Sequence, residues 1–344
     1  MPKILIIRLS AIGDVAMTIP VIYSVAEANP SDSFTVLTQT FLVPIFINCP
    51  PNVDIIGVNT KTTEKSFGGF LRYVFMLRKY KFDMVLDLHS VIRSRIVDFI
   101  FRLNGKSVFK IDKQRNKCKQ LTAMPPKTID VLRPVIERYA DVFRMAGLTF
   151  ENTFVSLYAN MPVKEDALKE IAGDIKGYRI GIAPFAKHQG KIYPAEMMEK
   201  VIEALSIQDD LTIFLFGGRG EEEKILKRWE EKYKNTISIA GRYSLVQELE
   251  LISRLDVLLS MDSANMHFAS LVGTKVISIW GATHPYAGFY GYKQCENLAI
   301  QVDLPCRPCS IYGNKRCHRG DWACLKEITP ELIICKIQNY FSAL

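Results

Sequence analysis

Short runs of aliphatic and β-branched residues alternate with longer stretches whose apolar positions recur at helical spacing, and the alternation persists from one end of the chain to the other. Short apolar runs bounded by turn residues read as strands buried on both faces, and a 3.6-residue period reads as amphipathic helix. In the first half the spacing predicts strands at 3–8, 34–37, 53–58, 83–88 and 107–111, with helices at 15–27, 67–79, 92–103 and 129–146. After Met161-Pro162 the pattern restarts, with strands at 179–183, 211–216, 236–240, 256–260 and 275–280 and helices at 195–207, 221–233, 245–254 and 264–271. Residues 330–341 read as one further amphipathic helix. Such βα alternation predicts parallel sheets covered by helices on both faces. The expected organisation is one α/β domain over 1–160, a second over 161–328 and a terminal helix over 329–344.

Length agrees with that division. At 344 residues the chain is about twice an ordinary single domain, and 48% hydrophobic residues can fill two cores. Charged residues make up 23%, with only 20 glycines and 16 prolines, so the composition is neither disordered nor fibrous. The first apolar run is short and carries Arg8, which argues against a secretory signal, and no apolar run reaches the roughly 18 residues of a spanning helix. The expected location is therefore the cytoplasm. A net charge of +8 points to an anionic partner. Arginines and lysines crowd residues 93–119, opposed only by Asp98 and Asp112, without any recognisable nucleic-acid motif.

Open α/β sheets bind ligands beyond the carboxyl ends of their strands, so residues just after strands are the first candidates for chemistry. Arg8-Leu9-Ser10-Ala11-Ile12-Gly13-Asp14 joins the first strand to the first helix. Gly13 permits a tight turn, and Asp14 stands where a carboxylate can take a proton from an attacking hydroxyl; an N-cap is the plainer reading of the same residue. A single glycine there disfavours a dinucleotide cofactor, which would need G-x-G-x-x-G. Asp262-Ser263-Ala264-Asn265-Met266-His267 follows another strand and opens a helix whose free N–H groups suit a phosphate. Asp262 and Ser263 also read as an ordinary cap, and His267 as a semi-buried histidine.

Weaker candidates sit after other strands. Lys187 and Lys191 could neutralise a diphosphate, or simply be solvated. Gly217-Gly218-Arg219-Gly220-Glu221-Glu222 pairs a flexible turn with acids that suit ribose hydroxyls or a helix dipole. Gly281-Ala282-Thr283-His284-Pro285 offers a hydroxyl in a loop that is also a good turn. Cys306, Cys309, Cys317 and Cys324 fall in one short segment, where two readings stand: a tetrahedral zinc site, or free thiols in an irregular loop.

Taken together, the Ser10 to Asp14 turn, the D-S-A-x-x-H run at Asp262 to His267 and the G-x-T-x-P loop at Gly281 to Pro285 resemble the heptosyltransferases, glycosyltransferase family nine. That family carries S-x-x-G-D, D-[ST]-G-x-x-H and G-x-T-x-P in the same order; here Ala264 stands where the family usually has glycine. The resemblance implies a GT-B architecture, two Rossmann-like domains facing across a cleft, and an inverting transfer from an ADP-heptose donor to a lipopolysaccharide inner-core or other glycolipid acceptor. It further implies Asp14 as base and Lys191 on the donor phosphates. Ser10, Gly13, Lys187, Glu221 or Glu222, Asp262, Ser263, Ala264, His267 and Thr283 become donor-side residues, with Arg93, Arg115 and Arg138 on the anionic acceptor. No D-x-D occurs in the chain, so the expectation is catalysis with no metal and no cofactor, no nucleic-acid partner, and a peripheral contact with the inner face of the membrane. A transferase of the same fold using another nucleotide-hexose, and a non-catalytic nucleotide-binding scaffold, are the alternatives.

Overall fold

A computed structural model describes residues 1–163 and 177–344. The chain divides into two compact units, one of Met1–Lys113 with Val135–Leu157, the other of Gln114–Pro134 with Tyr158–Leu344. Residues 114–134, inside the stretch expected to form the first domain, thus group with the second unit. Their anchors are local and specific: Leu132 packs with Leu121 and Ala287, its N–H donates to the Tyr286 carbonyl at 2.8 Å, and Lys127 Nζ donates to the Cys306 and Pro308 carbonyls at 3.1 and 2.7 Å.

The first unit is a five-stranded parallel sheet in the order β3-β2-β1-β4-β5, with β1 Lys3–Ile7, β2 Ser33–Gln39, β3 Val53–Val58, β4 Met84–Asp87 and β5 Ser107–Lys110. Ile4 to Ile7 are all fully buried, as a central parallel strand covered on both faces requires. Leu5 and Ile7 point into a core built with Phe70, Val74 and Leu77 of the helix Phe67–Leu77 and Val97, Ile100 and Phe101 of the helix Ile92–Leu103. Those two helices therefore cover the same face of the sheet.

The second unit is a six-stranded parallel sheet in the order β11-β10-β9-β6-β7-β8, with β6 Tyr178–Ala183, β7 Leu211–Leu215, β8 Thr236–Ser238, β9 Val257–Met261, β10 Lys275–Ile279 and β11 Ala299–Ile300. The terminal helix Pro330–Phe341 adds Ile333 and Ile337 to its core, and Thr329 caps that helix by accepting from Leu332 N–H. Both sheets are thus parallel and helix-covered, as the alternation predicts.

Two predicted helices differ at prolines. The periodic run 15–27 is split into Ile12–Ala16 and Ile19–Ala28, because Pro20 has no N–H to continue a ladder and fits only the first turn of a new helix. The run 129–146 is helical only over Val135–Met145, since Pro134 disfavours helical geometry in the residue before it. The helix Arg115–Leu121 is an addition that the periodicity did not announce.

Candidate functional site

In the first unit β1 lies between β2 and β4, so the chain leaves β1 toward one side and comes back on the other. The carboxyl ends of β1 and β4, where that reversal occurs, are the place where doubly wound sheets bind ligands. Arg8 follows β1 directly and is 7% exposed. Its Nη1 donates to the Leu88 carbonyl beyond β4 at 2.8 Å, its Nη2 meets Asp14 Oδ2 at 2.8 Å, and its guanidinium lies 5.7 Å from the centre of the Tyr139 ring. Asp14 is the third residue of its helix rather than the N-cap, and it accepts the Ala11 N–H at 3.2 Å, again on Oδ2. Both contacts fall on one oxygen. The side chain is about a fifth exposed (21%), and among the described residues neither contact involves Oδ1.

The loop after β4 braces this turn. Leu9 N–H donates to His89 Nδ1 at 3.3 Å, and Ser10 Oγ lies 3.5 Å from His89 Nε2. A ring that accepts at Nδ1 must carry its proton on Nε2. Burial first, then the charges of Arg8 and Lys113, push the His89 pKa down to about 3, so the ring is neutral. Beneath it Asp87 Oδ1 takes the His89 and Ser90 N–H groups at 2.8 and 2.7 Å, and Oδ2 takes Ser94 Oγ at 2.8 Å. Asp98, 2% exposed, meets Lys110 Nζ at 2.9 Å; burial first, and then the neighbouring Asp87 charge, raise its pKa to about 7. Arg8, Asp87 and His89 all escaped the sequence reading. Their only signal was a charged or polar residue at the end of an apolar strand run.

The second unit repeats the topology. β6 stands between β7 and β9, and the loops that follow β6 and β9 carry Lys191 and Asp262. Lys191 Nζ meets Asp262 Oδ2 at 2.8 Å, with the Asp262 side chain 4% exposed. Lys191 closes the turn Gln189–Lys191. That turn is tied to two other loops: Gly190 N–H donates to the Gly313 carbonyl at 3.1 Å, and Ala282 N–H donates to the Gly190 carbonyl at 2.8 Å. Gly313 has φ +74°, and a Cβ there would come within 2.6 Å of Lys191 Cγ. The lysine stem is therefore seated against a bare backbone.

Beside the ion pair, Ser263 is the N-cap of the helix Ala264–Val272, but its hydroxyl contacts Ser260 Oγ at 3.3 Å instead of bonding the helix amides. The N–H groups of residues 264–266, which the start of a helix leaves without intrahelical partners, are thus not capped by that hydroxyl, and the helix dipole lies behind them. His267, 6% exposed, sits in that first turn. Thr283 is completely buried, so its hydroxyl, without a partner among the described residues, faces the interior rather than an open site. Its loop is held by Arg307, which donates to the Gly281, Trp280 and Thr283 carbonyls at 2.6, 3.2 and 3.0 Å.

The remaining predicted residues are dispersed. Glu222 Oε2 accepts the Gly218 N–H at 2.6 Å and closes the glycine turn, whereas Glu221 is exposed and paired with Lys224 at 2.7 Å. Lys187 is exposed on its loop. Arg93 is exposed in the first unit, Arg115 is exposed and grouped with the second, and Arg138 is 7% exposed. Cys306, Cys309, Cys317 and Cys324 line one small cavity, all as free thiols, and burial pushes the Cys324 thiol up to about 12. Among the described residues no group of three or more His, Cys, Asp or Glu side chains is arranged to hold a metal ion. Also among them, no helix is long and apolar enough to cross a membrane.

Each unit therefore carries one chemical half: a carboxylate with one free oxygen and a braced backbone, and a cation beside open helix amides. Known proteins resemble the chain over most of its length. The family model described as glycosyltransferase family 9 (heptosyltransferase) matches residues 71–317. The lipooligosaccharide heptosyltransferase 2 of Campylobacter jejuni is 25% identical over 337 residues, covering 95% of this chain and 96% of that one. A glycosyl transferase of family 9 from Veillonella parvula superposes with a TM-score of 0.77 at 18% identity, covering 100% of this chain and 98% of that one. The E. coli heptosyltransferase WaaC with ADP gives a TM-score of 0.68 at 19% identity, with 98% and 99% coverage. The fold is that of these GT-B enzymes.

Proposed function

The chain belongs to glycosyltransferase family 9, the heptosyltransferases, and from that membership we propose that it moves a heptose from an ADP-sugar, with inversion, to a lipopolysaccharide inner-core or related glycolipid acceptor. The observation that carries the reading is the Lys191–Asp262 ion pair at 2.8 Å beside the uncapped amides of the helix Ala264–Val272. A cation on a buried carboxylate, next to helix N–H donors, is a seat for a nucleoside diphosphate.

In the proposed reaction Asp14 Oδ1 takes the proton of the acceptor hydroxyl as that oxygen attacks the anomeric carbon, while Arg8 and the Ala11 N–H hold Oδ2. The bond from the anomeric carbon to the phosphate oxygen breaks, and its electron pair leaves with ADP. Lys191, exchanging Asp262 for phosphate, and the amides at 264–266 stabilise that charge in place of a metal ion. Asp262 and His267 then face the sugar, and Glu222 at the glycine turn takes the ribose. Ser10 and Gly13 shape the turn beside the base. Arg93, solvent-exposed on the Asp14 unit, is the strongest of the acceptor-side arginines. Because the proposed acceptor is lipid-linked, the enzyme works as a peripheral protein at the cytoplasmic face of a membrane.

Calorimetric titration of ADP, GDP, UDP and NAD into the wild type, Asp262→Ala and Asp14→Asn tests the reading. ADP preference, lost in Asp262→Ala and kept in Asp14→Asn, is expected. Binding of no nucleotide, or of NAD alone, would overturn it.

A further inference from the structure

The helices Phe67–Leu77 and Ile92–Leu103 bury one face against the core of the first unit, and amphipathic logic calls for polar residues on the other. The outer faces are instead apolar. Along Ile92–Leu103 the positions Ile92, Ile96, Phe99 and Leu103 recur at helical spacing, with Ile92 80%, Phe99 63% and Leu103 71% exposed. Along Phe67–Leu77, Phe67 is 67% and Phe75 52% exposed, with Leu71 half-buried between them. Exposed apolar side chains gathered on adjoining elements mark an interaction surface.

The charges on the same helices say what covers it. Arg72, Arg93, Arg95 and Arg102 are exposed on them, and Arg78, Lys79 and Lys81 follow the first. The single acidic residue in either helix is Asp98, which is buried and paired with Lys110. An apolar stripe flanked by arginine, with no exposed acid on either helix, is the composition of a surface that lies in the headgroup region of an anionic bilayer, apolar side chains inserted and cations on phosphates. A protein partner of ordinary mixed charge would call for acids among the arginines as well.

The surface is also continuous with the site. Ile92 and Arg93 begin their helix directly after the loop of His89 and Ser90, the loop that braces Leu9 and Ser10 in the turn leading to Asp14. We infer that the outer faces of Phe67–Leu77 and Ile92–Leu103 seat the first unit on an anionic lipid surface, bringing the Asp14 edge of its sheet to the glycan of a membrane-anchored acceptor. The inference deepens, and rests on, the peripheral contact proposed above by naming the surface that makes it.

Co-sedimentation with vesicles of phosphatidylcholine alone, and of phosphatidylcholine with phosphatidylglycerol, at low and high salt, tests it on the full chain. The wild type is expected to bind the anionic vesicles, more weakly at high salt. Phe75→Ser with Phe99→Ser should weaken binding at either salt concentration. Arg72→Glu with Arg95→Glu should remove the preference for phosphatidylglycerol, each lost cation being worth about fivefold in partitioning. Circular dichroism and ADP titration on the same samples should match the wild type. Equal binding by wild type and variants, equal binding to both vesicles, or wild-type self-association abolished by the variants without vesicle binding would each overturn the inference. Failure of ADP binding in the wild type would strike the transferase reading and leave the vesicle result standing on its own.

Discussion

Lys191 and Asp262, carried by the loops after the adjacent strands β6 and β9, meet at 2.8 Å with the carboxylate 4% exposed. Removing one partner strands the other, and the two directions are unequal because Asp262 is the more buried. Lys191→Met leaves an unpaired buried carboxylate and should cost about 1–3 kcal/mol of stability, more than Asp262→Asn. Urea denaturation of the nucleotide-free proteins checks the order, and both variants should weaken ADP binding in calorimetry.

Gly313 supplies the space for that lysine. With φ +74° and a Cβ that would come within 2.6 Å of Lys191 Cγ, Gly313→Ala must displace the lysine stem as well as strain its own backbone. The expected result is about tenfold or more weaker ADP binding. Gly105→Ala, at φ +73° with open space around its Cβ, is the control for backbone strain and should leave ADP affinity unchanged.

Asp14→Asn keeps the shape of the side chain and removes its basicity. If Asp14 accepts the acceptor proton, kcat should fall about 10²- to 10⁴-fold while ADP affinity holds. A kcat within a few-fold of wild type would exclude Asp14 as base.

His89 acts on the same turn by accepting the Leu9 N–H on a neutral ring. His89→Phe leaves that N–H unsatisfied and should lower kcat with little change in the donor KM. His89→Asn places an acceptor near the Nδ1 position and should restore much of the loss. Equal defects in both variants would mean that ring packing, not the hydrogen bond, is what matters.

Asp98 makes stability depend on pH. Its pKa is raised from 3.8 to about 7 by burial and then by Asp87, so the folded state binds the proton more tightly than the unfolded chain. An acid shifted upward in this way favours the folded state at low pH and loses that contribution as pH rises from about 4 to about 7, by at most about 1.4 kcal/mol per pH unit. Glu248, also raised to about 7 by burial, tilts the curve the same way, whereas His89 and His284, lowered to about 3 and 4, tilt it the other way. The difference between wild type and Asp98→Asn isolates the term: in denaturation series across this range the wild type should lose stability relative to the variant.

What the sequence determined by itself was local in origin. Apolar runs as short as KILII, alternating with 3.6-residue periods, required parallel strands under helices, and S-x-x-G-D, D-S-A-x-x-H and G-x-T-x-P were legible because each lies within one βα turn. The tertiary structure alone decided the partners. Arg8 read as one charge at a strand end, and only the order β2-β1-β4 brings it between Leu88 and Asp14. For Lys191 the residues alone left a phosphate ligand and a solvated cation both open, and only β6 lying beside β9 gives it Asp262 as a partner. Burial was equally hidden: Arg138 and Thr283 lie inside, Arg115 groups with the second unit, and the outer faces of two helices are apolar although their period alone could not say which face the core would take. Hydrophobic period is written in consecutive residues, whereas an ion pair or a buried hydroxyl depends on which strands the sheet sets side by side, a choice made by packing across the whole unit.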